Sequence, residues 1–167
     1  MRLAPLVGLL ALLAIGPAVA GDLVAVAPQP VAATVQDRDG RDVALGKGRS
    51  RLTLLHFWAS WCGSCRTEFP AIDALQRDLR AEGVEVAAVS LDRLGWPAID
   101  RTVESLGIRE VSLFHDRDRA AARAAGVVGL PTTLVIDADG REVARIIGAG
   151  DWDDPAFRAR LKATVAR

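Results

Sequence analysis

The chain has 167 residues, enough for one domain with a hydrophobic core and too few for two ordinary domains. Half of its residues are hydrophobic, and 21 basic side chains are balanced by 21 acidic ones. This composition excludes a disordered chain, and the charge balance argues against the basic surface that nucleic-acid binding requires.

The N-terminus has the pattern of a secretory signal peptide over residues 1–20. Arg2 precedes an apolar run from Leu3 to Ile15, and small residues stand at Ala18 and Ala20. An uncleaved membrane anchor is the alternative, although the apolar run is at the short limit for crossing a bilayer. We therefore expect export to an oxidising compartment, the periplasm, with membrane attachment only if the segment is retained.

Residues 21–30 are expected to form a leader loop, because Pro28 and Pro30 prevent a regular ladder of backbone hydrogen bonds. The folded domain is expected over residues 31–167. It begins with a hairpin, since alternating segments at 33–36 and 43–45 flank Asp39-Gly40, a dipeptide suited to a tight turn.

The remaining elements alternate between strands and helices. The apolar run at 51–58 predicts a buried strand, and apolar residues spaced by three and four predict a helix at 62–81 that ends before Gly83. Further on, we predict strands at 84–91, 111–116, 132–137 and 141–148, and helices at 97–106, 119–126 and 155–165. This order predicts an α/β fold with a central mixed sheet, largely parallel inside and flanked by helices.

The two cysteines, Cys62 and Cys65, stand where a strand gives way to a helix. Free N–H groups and the dipole of a helix N-terminus favour a thiolate, so Cys62 is the expected nucleophile and Cys65 the resolving thiol. A structural disulfide in so small a loop would stabilise little, and a zinc site lacks ligands at suitable spacing. Redox chemistry is favoured over these two readings and over a pair of inert buried thiols.

A second motif, "GLPTT" at 129–133, lies directly before a predicted strand. Proline is tolerated at the first residue of a strand, and the Leu130–Pro131 bond is a candidate for the cis form. A cis bond here would turn the backbone toward the cysteine helix.

With these motifs in place, the chain resembles the thioredoxin superfamily, and within it the TlpA/ResA/DsbE-like group of exported thiol-disulfide reductases. The segments that carry the resemblance are "FWASWCGSCRTEFP", "VEVAAVSLD", "GVVGLPTTLVIDADGREV" and "GAGDW". The resemblance spans about Ala32 to Arg167.

The resemblance implies a thioredoxin-like fold with a central insertion at roughly 92–115. It also implies a cis Pro131 facing the Cys62–Cys65 disulfide, with Trp61, Leu130 and Pro131 contacting an extended substrate segment. The implied partners are disulfide-containing exported proteins and a membrane electron donor. No cofactor or metal ion is expected.

Two further side chains are candidates for proton transfer. Glu68 lies one helical turn beyond Cys65, and the resemblance implies a role in tuning the cysteines, with a solvated glutamate as the alternative. His56 interrupts an apolar strand and is a hypothetical proton acceptor for Cys65, with a core histidine as the alternative. His115 is expected in a surface loop, and Trp152 is expected to be a packing residue.

The sequence therefore predicts a thiol-disulfide oxidoreductase, most simply a reductase. The reductase direction comes from the resemblance, and an oxidase or isomerase using the same cysteines is the first alternative. A Cu(I)-handling chaperone, with Cys62 and Cys65 as ligands, is an alternative of another class. A noncatalytic interaction domain is disfavoured by the intact cysteine pair.

Overall fold

The structure is a computed structural model that describes residues 21–46 and 50–165, so the predicted signal peptide lies outside the described residues. In chain order the strands and helices are β1 (Val24–Pro30), β2 (Ala33–Gln36), β3 (Asp42–Leu45), β4 (Leu52–Trp58), α1 (Gly63–Leu79), β5 (Val84–Ser90), α2 (Trp96–Leu106), β6 (Ser112–His115), α3 (Ala120–Ala124), β7 (Thr132–Asp137), β8 (Arg141–Ile147) and α4 (Pro155–Val165). No helix in this part of the chain has both the length and the hydropathy to cross a membrane.

The strands form one mixed sheet of eight in the order β1-β8-β7-β4-β5-β6-β2-β3. Strand β4 runs parallel to β5 and antiparallel to β7, and β5 runs parallel to β6. The α/β class and the mixed sheet are as predicted. Strands β4, β5 and β6 form the parallel part of the sheet, and the hairpin of β7 and β8 joins it antiparallel beside β4.

Strand β4 is buried along its whole length and contributes to both faces of the sheet. Leu54 and Trp58 belong to one core cluster with apolar residues of α1, α2 and α4, while Leu55 and Phe57 belong to a second cluster that includes residues of α3. His56 has the same strand parity as Leu54 and Trp58 and therefore faces α1.

The leader loop expected over residues 21–30 is wrong for residues 24–30, which form β1. This strand pairs antiparallel with β8 at the edge of the sheet, and its register shifts between Ala25 and Gln29. An edge strand hydrogen-bonds on one side only, so the irregular pairing accommodates Pro28 and Pro30. The folded unit thus begins before residue 31.

The predicted N-terminal hairpin is confirmed, because β2 and β3 pair antiparallel. The segment at 92–115, expected as an insertion, contains α2 and β6. The surface position expected for His115 is wrong: its side chain is buried at the end of β6, and its Nε2 lies 2.8 Å from the carbonyl oxygen of Asp92.

Candidate active site

The loop from β4 to α1 is held by hydrogen bonds to a carboxylate that follows β5. Asp92, which follows β5 and is 2% exposed, accepts a hydrogen bond from the Ser60 backbone N–H at 2.9 Å. The same carboxylate accepts hydrogen bonds from the hydroxyl groups of Ser60 and Ser90. These hydrogen bonds fix the loop that places Cys62 at the N-terminus of α1.

Cys62 and Cys65 form a disulfide whose Cα atoms are 5.3 Å apart. Cys62 is the N-cap residue of α1, so the helix begins one residue later than predicted, and the Cys62 Sγ accepts the Cys65 backbone N–H at 3.3 Å. Cys62 is 8% exposed and Cys65 is fully buried. An incoming nucleophile therefore meets the Cys62 sulfur first.

A groove of 640 Å³ opens beside Cys62. Trp61 and Leu130 line it, so two of the three predicted substrate-contacting residues lie at the same surface as Cys62. The Leu130–Pro131 peptide bond is cis, which is the form predicted, and Pro131 directly follows the groove residue Leu130. Trp61 is 62% exposed and is available to a bound chain.

His56 and Glu68 face each other within the protein. The imidazole Nε2 lies 3.8 Å from Glu68 Oε1, and both atoms are buried without a hydrogen-bond partner. The other imidazole nitrogen, Nδ1, lies 2.9 Å from the Thr133 hydroxyl oxygen. Glu68 Oε2 accepts hydrogen bonds from the Trp152 indole N–H at 2.6 Å and the Gly150 backbone N–H at 2.8 Å.

Burial shifts both groups of this pair toward their neutral forms. Desolvation lowers the pKa of His56 to about 3, and desolvation raises the pKa of Glu68 to about 7 against the opposing hydrogen bonds from Trp152 and Gly150. The two atoms are 3.8 Å apart, which is close enough for an ion pair. They do not form one at mildly acidic pH, because the imidazole and the carboxyl group are then both uncharged. Glu68 is the member that changes protonation state near neutral pH.

Glu68 also borders a second cavity, of 360 Å³, that includes Ser64, Gly150 and Trp152 among its lining residues. The carboxylate thus lies between this cavity and the enclosed imidazole of His56. Glu68 can therefore exchange a proton with solvent through this cavity.

Several residues of the site have contacts that the sequence did not predict. Trp152 was expected to pack, and it does, but its indole N–H also holds Glu68. Asp92, which follows β5, and Thr133, the second residue of β7 and part of the predicted motif at 129–133, have no individual role that the sequence predicts. Two arginines, Arg119 and Arg123, line the groove and carried no sequence pattern that pointed to it.

Over residues 21–46 and 50–165, no group of three or more His, Cys, Asp or Glu side chains is arranged to bind a metal ion.

The fold and the paired cysteines define a thioredoxin-like protein. Among solved structures, that of a candidate thiol:disulfide interchange protein DsbE from Chlorobium tepidum matches with a TM-score of 0.68 and 28% identity, covering 81% of this chain and 96% of that one. The fold alone is shared with StoA from Bacillus subtilis, with a TM-score of 0.63, 19% identity and coverage of 81% and 98%.

The chain belongs to the AhpC/TSA family, whose sequence pattern matches residues 26–144. The thiol-disulfide oxidoreductase ResA of Bacillus anthracis is 31% identical over 114 residues, which are 68% of this chain and 65% of that protein. ResA of Geobacillus thermodenitrificans is 31% identical over 122 residues, or 72% of this chain and 68% of that protein. The chain thus spans about two thirds of the length of these relatives, and slightly less for the first.

Proposed function

We propose that the protein is a thiol-disulfide oxidoreductase that reduces disulfide bonds of client proteins. The observation that carries this proposal is the Cys62–Cys65 disulfide at the N-terminus of α1, with Cys62 lining a groove and Cys65 buried behind it. A disulfide that served only to stabilise the fold would have no need of a groove at one of its sulfurs. The relatives named ResA and DsbE support the same chemistry.

The reaction proceeds in two exchanges. In the reduced protein the Cys62 thiolate attacks a client disulfide, forming a mixed disulfide and releasing one client thiolate. Cys65 then attacks the Cys62 sulfur, which releases the second client thiolate and leaves the protein as the Cys62–Cys65 disulfide. The client gains two electrons and the protein loses two, so an external donor must reduce the protein again.

Glu68 takes up the proton that Cys65 loses before the second exchange. Its place on α1, one turn beyond Cys65, and its pKa of about 7 suit a group that accepts a proton near neutral pH. His56, with its pKa lowered to about 3 by burial, is the weaker base. Its imidazole contacts the Glu68 carboxyl group on the side that faces the protein interior. This assignment modifies the hypothesis that His56 is the acceptor.

The sequence supports the setting that we propose for the reaction. The signal-peptide pattern at 1–20 supports export to the periplasm. An oxidising compartment supplies client disulfides and requires an electron source from outside it, so we assign re-reduction to a membrane electron donor. Exported proteins that carry disulfides, of the kind found in cytochrome c maturation or metal-site assembly, are the clients this reaction would serve.

Substitution of the resolving cysteine tests the proposed function. With Cys65→Ser, the mixed disulfide between Cys62 and a client has no internal thiol to resolve it, so it accumulates as a covalent adduct. Mass spectrometry after mixing the reduced variant with a disulfide-bonded peptide measures this adduct. Cys62→Ser is the matched control and should form far less adduct, since its remaining thiol is buried. Equal trapping by both variants, or by neither, would refute the roles assigned.

A further inference from the structure

The groove beside Cys62 is lined by apolar and positively charged side chains. Its lining includes the apolar side chains of Leu91, Val127 and Leu130 together with two arginines, Arg119 and Arg123, and no acidic side chain among the described residues. A client segment bound there meets positive charge on an otherwise apolar surface. Such an arrangement favours a negatively charged group on the partner.

The arginines have no acidic partner within the described part of the chain. Arg119 makes no ion pair there, and Arg123 donates from Nη1 to the carbonyl oxygen of Asp118 at 2.7 Å. The nearby acids are engaged elsewhere: the Asp118 carboxylate accepts a backbone N–H at the start of α3, and Asp116 accepts two more. Neither guanidinium group is therefore paired with a carboxylate among the described residues.

Arg119 also has an unusual backbone. Within the described residues it is the one non-glycine residue with a positive φ, of 60°. Residues other than Gly, Asn and Asp rarely adopt a positive φ, and the exceptions are concentrated at functional sites. It stands directly before α3, where it makes no side-chain cap of the helix. A purely structural role for its side chain has no support in these contacts.

We propose that Arg119 and Arg123 select client segments in which an apolar residue near the reactive cysteine is accompanied by an acidic side chain. This inference rests on the proposed function, since it concerns the client that Cys62 attacks. The apolar residue contacts the groove lining near Leu130 and Trp61, and the carboxylate pairs with the guanidinium groups. The electron balance is that of the two exchanges already described, with no additional reactant.

A peptide series provides the test. Each peptide carries one cysteine joined as a disulfide to the neutral thiol 2-mercaptoethanol, one neighbouring leucine, and a glutamate placed in turn at each position on both sides of the cysteine. A glutamine peptide matches every glutamate peptide. The pre-reduced protein is mixed with each peptide in a single turnover, and the rate is followed by tryptophan fluorescence and mass spectrometry.

We expect at least one glutamate position to react about fivefold faster than its glutamine match at low ionic strength, as is typical of steering by charges at an interface. Added salt should bring this ratio toward one. Replacing both arginines, as Arg119→Asn with Arg123→Gln, should bring the ratio to one at low salt as well.

The variants separate charge from folding. Asparagine accommodates the positive φ at position 119 better than arginine does, so Arg119→Asn should keep or raise the melting temperature while the glutamate preference falls. The control pair Arg101→Gln and Arg109→Gln removes two exposed arginines outside the groove and should retain the preference.

Two negative outcomes are distinguishable. If wild-type protein reduces glutamine peptides but shows no glutamate preference at any position, the selection by arginine is refuted and the proposed function stands. If the reduced protein reacts with none of the peptides, nor with a small neutral disulfide, the proposed function itself is refuted.

Discussion

At the scale of single residues, the buried pair of His56 and Glu68 is the least expected feature of the site. Each side chain leaves one polar atom without a partner, and those two atoms face each other 3.8 Å apart. Buried polar atoms normally find hydrogen bonds, so this arrangement has a cost to stability. The cost is understandable at a site where Glu68 must exchange a proton close to neutral pH.

The raised pKa of Glu68 predicts a particular dependence of stability on pH. A carboxyl whose folded pKa is about 7, above its unfolded value of 4.5, favours the folded state at low pH, and this contribution is lost as pH rises through 7. Between about pH 5 and pH 8 the free energy of unfolding should fall by about 2 kcal/mol because of this group.

Glu68→Gln should remove that fall, because glutamine still accepts from Trp152 and Gly150 but does not ionise. Urea unfolding at a series of pH values measures the effect in the wild type and the variant. Glu104→Gln, an exposed residue of α2, is the control and should follow the wild type. A wild-type curve and a Glu68→Gln curve of the same shape would show that Glu68 is ionised throughout this range.

At the scale of secondary-structure elements, the loop between β4 and α1 depends on one carboxylate. Asp92 is buried and receives hydrogen bonds from Ser60 and Ser90, so it joins the loop before Cys62 to the end of β5. The position of the cysteine pair relative to the sheet is thus set by an interaction between neighbouring parallel strands.

Asp92→Ala should lower the free energy of unfolding by about 2 to 4 kcal/mol, because it leaves the buried hydroxyl of Ser90 and the half-buried donors of Ser60 without an acceptor. Chemical denaturation of the oxidised protein measures this change. The comparison is Asp139→Ala, which removes an exposed carboxylate bonded to Arg141 and should cost less than about 1 kcal/mol. Equal losses in the two variants would mean that Asp92 does not hold the loop.

The elements were largely predictable from sequence, for reasons visible in particular segments. The buried strand β4 and the amphipathic α1 have strong patterns, and the turn at Gly40 has a residue suited to its positive φ of 76°. Strand β1 was not predictable, because Pro28 and Pro30 argue against a strand unless one knows that it lies at the sheet edge.

At the scale of the whole molecule, what the sequence could not supply is the meeting of distant segments. Trp61 is distant in sequence from Arg119 and Leu130, and the three residues line one groove because the loop after β4, the start of α3 and the loop before β7 meet at the same end of the sheet. The cysteine pair was predictable from a local motif. The partners of Glu68, at Gly150 and Trp152, depend on the packing of the segment after β8 against α1 and have no local pattern.

The same architecture gives the redox state a spectroscopic reporter. Trp58 lies in the core cluster that contains both cysteines and packs against Phe69 of α1, with ring centroids 4.5 Å apart. Opening the disulfide should therefore change the surroundings of a buried tryptophan. Equilibration of the protein with graded thiol-disulfide buffers converts that change into a reduction potential.

This potential is the most direct test of the central claim that the Cys62–Cys65 couple reduces client disulfides. We expect one reversible two-electron transition at or below about −270 mV, the potential of thioredoxin, with no transition in Cys62→Ser. A transition nearer −120 mV would identify an oxidant and contradict the proposed direction, and the absence of any reversible transition would contradict the proposed chemistry itself.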